Sequence, residues 1–187
     1  MTGRTTERYR LADGSDAANV AALHADSWRR HYRGAYSDSY LDGDVGEDRL
    51  AVWTERLGRP ESSRLTFIAE DAGGLVGFAH IVLDEDPTWG ALLDNLHVAH
   101  VMKRRGVGTR LMDATARAVI EGRPCSGLYL WVLEQNDAAQ AFYEARRGLR
   151  SGWGLVPAPG GDPTRLNGAP GAFRYTWSEP SALLTSD

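Results

Sequence analysis

The chain has a single cysteine, Cys125, in 187 residues. No internal disulfide framework is therefore available, and a reducing compartment suits it. No apolar stretch approaches the roughly 20 residues that a membrane span needs, and Met1 to Arg10 is polar, with no signal-peptide core. The expected setting is the cytoplasm, with no membrane partner. Excess basic charge is also missing: 21 Lys and Arg against 25 Asp and Glu leave a net charge of −4 at pH 7. That balance argues against a general nucleic-acid binder, which is usually basic. Metal-ligand clusters are sparse too, because His97-x-x-His100 has no matching carboxylate or cysteine pair. No metal is expected. There is no internal repeat.

The length suits one well-buried domain and is short for two. We expect a single domain over 1–187, with residues 1–7 and 179–187 as disordered tails. Tyr9 to Leu11 reads as a short strand. Asp13-Gly14-Ser15-Asp16 offers capping residues, after which Val20, Leu23, His24, Ser27, Trp28 and His31 recur at helical spacing. Less regular helix follows from Tyr36 to about Leu57. Leu65–Glu70 and Leu75–Val82, separated by Asp71-Ala72-Gly73-Gly74, read as a hairpin, and Ala91 to Val98 as the next strand. From Val107, Leu111, Ala114, Thr115, Ala118 and Val119 mark a helix that Gly122 and Pro124 stop. Leu128 to Leu133 is a compact buried strand, and Asn136 or Asp137 caps a helix carrying Ala138, Phe142 and Ala145. Ser151 to Gly171 holds six glycines and four prolines and reads as a long loop, a feature that is often functional. Phe173 to Trp177 is a last strand. The order implies a mixed α/β domain rather than a doubly wound sheet.

The most informative stretch is Lys103-Arg104-Arg105-Gly106-Val107-Gly108, set between a strand and a helix start. Glycines let the backbone approach a ligand closely, and free N–H groups plus the helix dipole favour an anion there. Three basic side chains add positive charge. A phosphate-bearing ligand is expected. The P-loop pattern Gly-x-x-x-x-Gly-Lys-Ser/Thr is absent, and Gly-x-Gly-x-x-Gly fails because position 111 is Leu.

A second block narrows the choice: the strand Leu128–Leu133, then Asn136, Ala139 and Phe142-Tyr143. With Lys103, Gly106 and Gly108 at the positions of a Gln/Arg-x-x-Gly-x-Gly/Ala motif, this order resembles the GNAT family of acyl-CoA-dependent N-acyltransferases. Leu23-His24-x-x-Ser27-Trp28, Tyr32-Arg33-Gly34 and Tyr40-Leu41-Asp42 are similar to the family's acceptor-side helices. The resemblance covers roughly residues 8–178. It departs at Lys103, which replaces Gln/Arg. It departs again at Gly148, which follows Tyr143 by five residues rather than four and implies an altered helix end.

The resemblance implies a GNAT fold, with a mixed, mostly antiparallel sheet flanked by helices and splayed between its fourth and fifth strands (92–98 and 128–133). Acetyl-CoA would lie in the splay, with its diphosphate held by backbone N–H groups across Arg104, Arg105, Gly106, Val107, Gly108 and Thr109. A backbone N–H near His97 or Val98 would meet the oxyanion. Asn136, with Ala139 beside it, binds the pantetheine, caps the next helix, or does both. Tyr143 would face the thioester sulfur. A phenol of pKa about 10 is a weaker acid than a thiol of about 8.5, so full proton transfer is uphill by roughly 2 kcal/mol and hydrogen-bond donation is the main role. Asp94, His97, Glu134 and a water chain remain open as the general base; an odd spacing puts Asp94 and His97 on opposite strand faces. Trp28, Tyr32 and Trp131 are candidates to line the acceptor pocket, for a small-molecule or peptide amine. The loop 151–171 would cover that pocket or reach a second copy in a homodimer. A non-catalytic acyl-CoA-binding module is the alternative; it would need neither Tyr143 nor a base.

Overall fold

The computed structural model describes residues 7–123 and 126–184. The helix stop expected at Pro124 and the outermost parts of both expected tails lie outside the described residues. The elements are β1 (Arg8–Leu11), α1 (Ala17–His31), α2 (Asp38–Asp42), α3 (Val45–Gly58), β2 (Arg64–Asp71), β3 (Gly74–Asp86) and β4 (Gly90–Val98), then α4 (Val107–Gly122), β5 (Leu128–Leu133), α5 (Asp137–Ala145), β6 (Leu149–Leu155) and β7 (Gly171–Trp177). Seven strands form one sheet in the order β1-β2-β3-β4-β5-β7-β6. All neighbours are antiparallel except β4 and β5.

That parallel pair is brief. It holds only at Ala91 with Leu128 and Leu92 with Tyr129. Beyond those residues the strands separate, and the sheet opens into the expected splay. Side chains from three directions keep it open. On one face α4 buries Val107, Leu111, Met112, Ala116 and Val119 against Ile81, Leu93, Leu130 and Tyr175. Fully burying a Leu or Val of this kind stabilises by about 1.5–3 kcal/mol. Gly77 permits the close approach: a Cβ there would lie 3.0 Å from Val107 and 3.1 Å from Leu111. On the other face α1 and α3 pack Val20 and Trp53 onto Ile68 and Phe78. At the open end Trp28, Tyr36, Tyr40 and Leu41 close on Leu133.

Two expectations are corrected. Ser151–Gly171 is not all loop, because its first residues belong to β6, which pairs with β7. The glycines there make room rather than turns. A Cβ at Gly152 would come 2.9 Å from the Arg174 guanidinium, and one at Gly154 would come 3.3 Å from the Trp131 ring. The tail from Glu179 does not fray at once, since Pro180–Leu183 form a 3-10 turn and Leu183 is buried in the core beside α4. Arg146 bonds Asp113, Thr109 and the Leu183 carbonyl, and so ties α5 to α4.

The altered helix end has a defined form. The Gly148 N–H donates to the Tyr143 carbonyl and Arg147 N–H to that of Glu144, each at 2.9 Å, with Arg147 at φ +64°. This is a Schellman closure in which arginine takes the left-handed position that glycine usually holds. It accommodates the extra residue before Gly148, and β6 then pairs with β7 through a register shift between Arg150 and Gly152.

Candidate active site

The glycine loop is built as its sequence demands. Arg104 (φ +63°) and Gly106 (φ +86°) are left-handed, and Gly106 starts α4 without a side-chain cap. The first-turn N–H groups of α4 therefore have no partner within the helix. Val107 turns its side chain into the core, while Arg104 and Arg105 are exposed; Val107 can thus serve a ligand only through its backbone. Gly108 is different. A Cβ on it would meet Phe142 at 3.5 Å and Val98 at 3.7 Å, ordinary contacts. Protein packing alone does not require glycine at 108, so what the missing side chain keeps clear is space between the end of β4 and α5.

One partner of this loop is not legible in the sequence. Lys103 Nζ lies 2.8 Å from Nε2 of His31, the last residue of α1. On the other wall Gln135 Nε2 donates to the Arg33 carbonyl at 2.6 Å. The chain leaving α1 is thereby tethered to both sides of the splay. Asn136 accepts the Ala139 N–H at 3.2 Å, which realises its capping role. Gln140, also unforeseen, donates to the Leu133 and Glu134 carbonyls at the end of β5.

The β4 wall presents a backbone donor. The Ala99 N–H bonds the Val76 carbonyl, and Val98 sits opposite Gly77. By the alternation of an antiparallel ladder, the N–H of Val98 then points away from β3. It faces the opening, where β5 no longer pairs.

The expectation that Asp94 and His97 occupy opposite faces is corrected by a bulge. Ile81 pairs with Leu93 and His80 with Asn95, which leaves Asp94 as the extra residue. Its carboxylate meets Arg56 of α3 at 2.8 Å, and His97 Nδ1 lies 2.8 Å from Ser27 Oγ of α1. Both side chains face the helices α1 and α3. His97 is buried, its ring 4.6 Å from His24 and 5.2 Å from Phe78. Burial pushes its pKa down to about 3, and His31 adds to the shift.

Tyr143, on α5, is buried beside Phe142, Tyr175 and Trp177. Burial, with the neighbouring Tyr32 hydroxyl, holds its phenol well above the usual tyrosine range. Burial, with Asp94 adding to it, pushes Tyr32 itself up to about 12. Tyr143 thus responds to the charge on Tyr32, and Tyr32 to that on Asp94. Trp28 stacks on Tyr32 at 5.3 Å, edges Tyr36 at 4.9 Å, and lies under the Arg49 guanidinium at 4.3 Å. Trp131 does not join them. It is half-exposed, and Arg174 lies between it and Trp89. Among the described residues no cluster of three or more His, Cys, Asp or Glu is placed to hold a metal, and no helix is long and apolar enough to cross a membrane.

Residues 25–149 match the model of the acetyltransferase (GNAT) family. A probable N-acetyltransferase of Mycobacterium tuberculosis is 31% identical over 74% of this chain and 78% of its own length. An uncharacterised N-acetyltransferase of Bacillus subtilis is 28% identical over 73% and 76%. Among solved structures, a GCN5-related N-acetyltransferase from Rhodopseudomonas palustris superposes with a TM-score of 0.68 at 24% identity, covering 92% of this chain and 95% of that one. The PaiA N-acetyltransferase of Thermoplasma acidophilum, solved with coenzyme A, gives 0.66 at 18% identity over 92% and 99%. These last two likenesses concern the fold.

Proposed function

The chain belongs to the acetyltransferase (GNAT) family and is an acetyl-CoA-dependent N-acetyltransferase; we propose that it moves the acetyl group directly onto a primary amine, of a small molecule or a peptide, in the splay between β4 and β5. The observation that carries this reading is the pairing of walls: a backbone donor at Val98 on one side, the Tyr143 phenol on the other, and the left-handed glycine loop at the end of β4. A non-catalytic acyl-CoA-binding module would need only the loop.

Acetyl-CoA, when bound, supplies an acyl group activated as a thioester. The chain's own parts have separate tasks. The N–H groups from Arg104 to Thr109, backed by Lys103, Arg104 and Arg105, suit a diphosphate. The Val98 N–H donates to the carbonyl oxygen as it gains charge. Tyr143 donates a hydrogen bond to the departing sulfur; with its pKa raised by burial it keeps its proton rather than surrendering it. His97, at about 3, is too weak a base to take a proton from an ammonium ion. Asp94 is the carboxylate on that face. A third exposed beside Arg56, it draws in the cationic amine, whose proton leaves to solvent. Trp28 and Tyr32 form the apolar side of the acceptor pocket.

A thermal-shift titration tests the cofactor half of this reading. Acetyl-CoA at about 100 times its Kd stabilises by roughly 2.7 kcal/mol, a rise of roughly 5–10 °C for a chain of this size, with ATP and NAD giving none. Release of free thiol from acetyl-CoA only when a primary amine is added tests the transfer. A shift without amine-dependent thiol release would favour the binding module.

A further inference from the structure

Past the end of β5 lies a pocket of about 340 Å³, lined by Gly34 and Ala35 and by Ala169 to Gly171. Glu134 is the one charged residue on its wall. Two observations show that its carboxylate is held there. Trp153 Nε1 donates to Oε2 at 3.3 Å. A Cβ at position 171 would lie 2.7 Å from that same oxygen and 2.5 Å from the indole nitrogen, so Gly171 leaves the room the pair occupies. The backbone beneath is anchored as well: the Glu134 N–H bonds the Gly171 carbonyl, and Gln140 bonds the Glu134 carbonyl, both at 2.9 Å.

What Glu134 lacks is a cation. It is in no ion pair among the described residues, whereas the arginines of the adjoining segments are taken: Arg33 by Asp38 and Asp42, Arg165 by Asp48 and Asp162. A carboxylate in an otherwise uncharged pocket, oriented by the N–H edge of the exposed Trp153 indole (56%), offers a fixed negative charge to a cationic ligand. We propose that Glu134 and Trp153 form a cation subsite, so that the preferred acceptor carries a second positive charge besides the amine that is acetylated: a diamine or another basic amine. The inference rests on the acceptor reading above and gives that pocket a substrate class.

The test uses calorimetric binding of α,ω-diamines and of monoamines of matched chain length to the full chain, both free and saturated with CoA. The diamine is expected to bind about tenfold tighter than its monoamine, with the preference shrinking as salt rises. Glu134→Gln should bring the two amines together with CoA affinity unchanged, while Glu134→Asp keeps part of the difference. Equal affinities in the natural chain overturn the proposal. So does a preference that survives Glu134→Gln, or a failure of both amines to bind a protein that binds CoA. If CoA itself failed to bind, the cofactor site would be lost instead, and the amine comparison on the free protein would still decide the subsite.

Discussion

The ammonium of Lys103 lies 2.8 Å from Nε2 of His31, joining the glycine loop to the last residue of α1 across 72 positions. An ammonium has donors only, so the imidazole accepts and is neutral, its proton on Nδ1. Burial, then Lys103 itself, holds His31 below the usual histidine value. The link therefore persists at neutral pH and breaks as pH falls through the lowered His31 pKa. Lys103 is the chain's only lysine, so its side-chain NMR signals need no assignment, and their shift with pH follows the bond.

Lys103→Met should raise the KM for acetyl-CoA by about fivefold to tenfold and leave kcat nearly unchanged, as loss of one exposed charge to a phosphate would. Steady-state kinetics checks this. An unaltered KM would mean that Lys103 serves only to tether α1.

Gly108→Ala separates folding from binding. Its Cβ meets only ordinary contacts, and alanine gains up to about 1 kcal/mol of helix propensity over glycine, so the melting temperature should hold or rise. The same methyl enters the space kept clear beside Val98 and Phe142. Acetyl-CoA affinity should fall about tenfold or more, read by calorimetry. Gly106→Ala should behave oppositely in stability: at φ +86° an L residue costs about 1–2 kcal/mol.

Tyr143→Phe keeps the ring among Phe142, Tyr175 and Trp177 and removes only the hydroxyl. Turnover should fall by roughly 10-fold to 1,000-fold, with acetyl-CoA binding unchanged by thermal shift. Because the phenol lies well above the usual tyrosine range, the pH profile of kcat in the natural enzyme should show no downward limb from tyrosine ionisation up to about pH 10. Unchanged turnover in the variant would remove Tyr143 from the reaction.

Three imidazoles make stability fall on the acid side. His24 accepts from Trp53 Nε1 and stays neutral, His80 is bonded to Thr66 and pushed down to about 4, and His97 lies at about 3. Burial is the main cause in each. All three folded values lie below the unfolded value near 6.5, so between about pH 6.5 and 4 the unfolded chain binds protons that the native chain refuses. Stability is complete above that window and is lost as pH falls into it, by about 1 kcal/mol for each imidazole one unit below 6.5. Urea unfolding at stepwise pH checks this, and His80→Gln should flatten the slope by about a third. A flat stability between pH 6.5 and 5 would contradict the buried neutral assignment.

Local features were legible without coordinates. The left-handed turn at Gly106, the Asn136 cap, the Asp13 capping box on the 3-10 turn that leads into α1 and the succession from β1 to α5 each depend on dihedral preferences and hydrogen bonds within a few residues. A chain of this length states them directly, and the order of its two motifs named the family. The rest was settled by contacts between distant residues. A bulge at Asp94 cancelled the parity that separated it from His97. Strand β6, rich in glycine, was hidden because its glycines make room for Arg174 and Trp131 rather than turning the chain. His31 met Lys103 only because α1 ends over the splay, and Glu134 gained a pocket only because Gly171 and Trp153 came to lie beside it. Local torsions are written residue by residue. Which side chains share an opening is decided when helices and strands pack on both faces of one sheet.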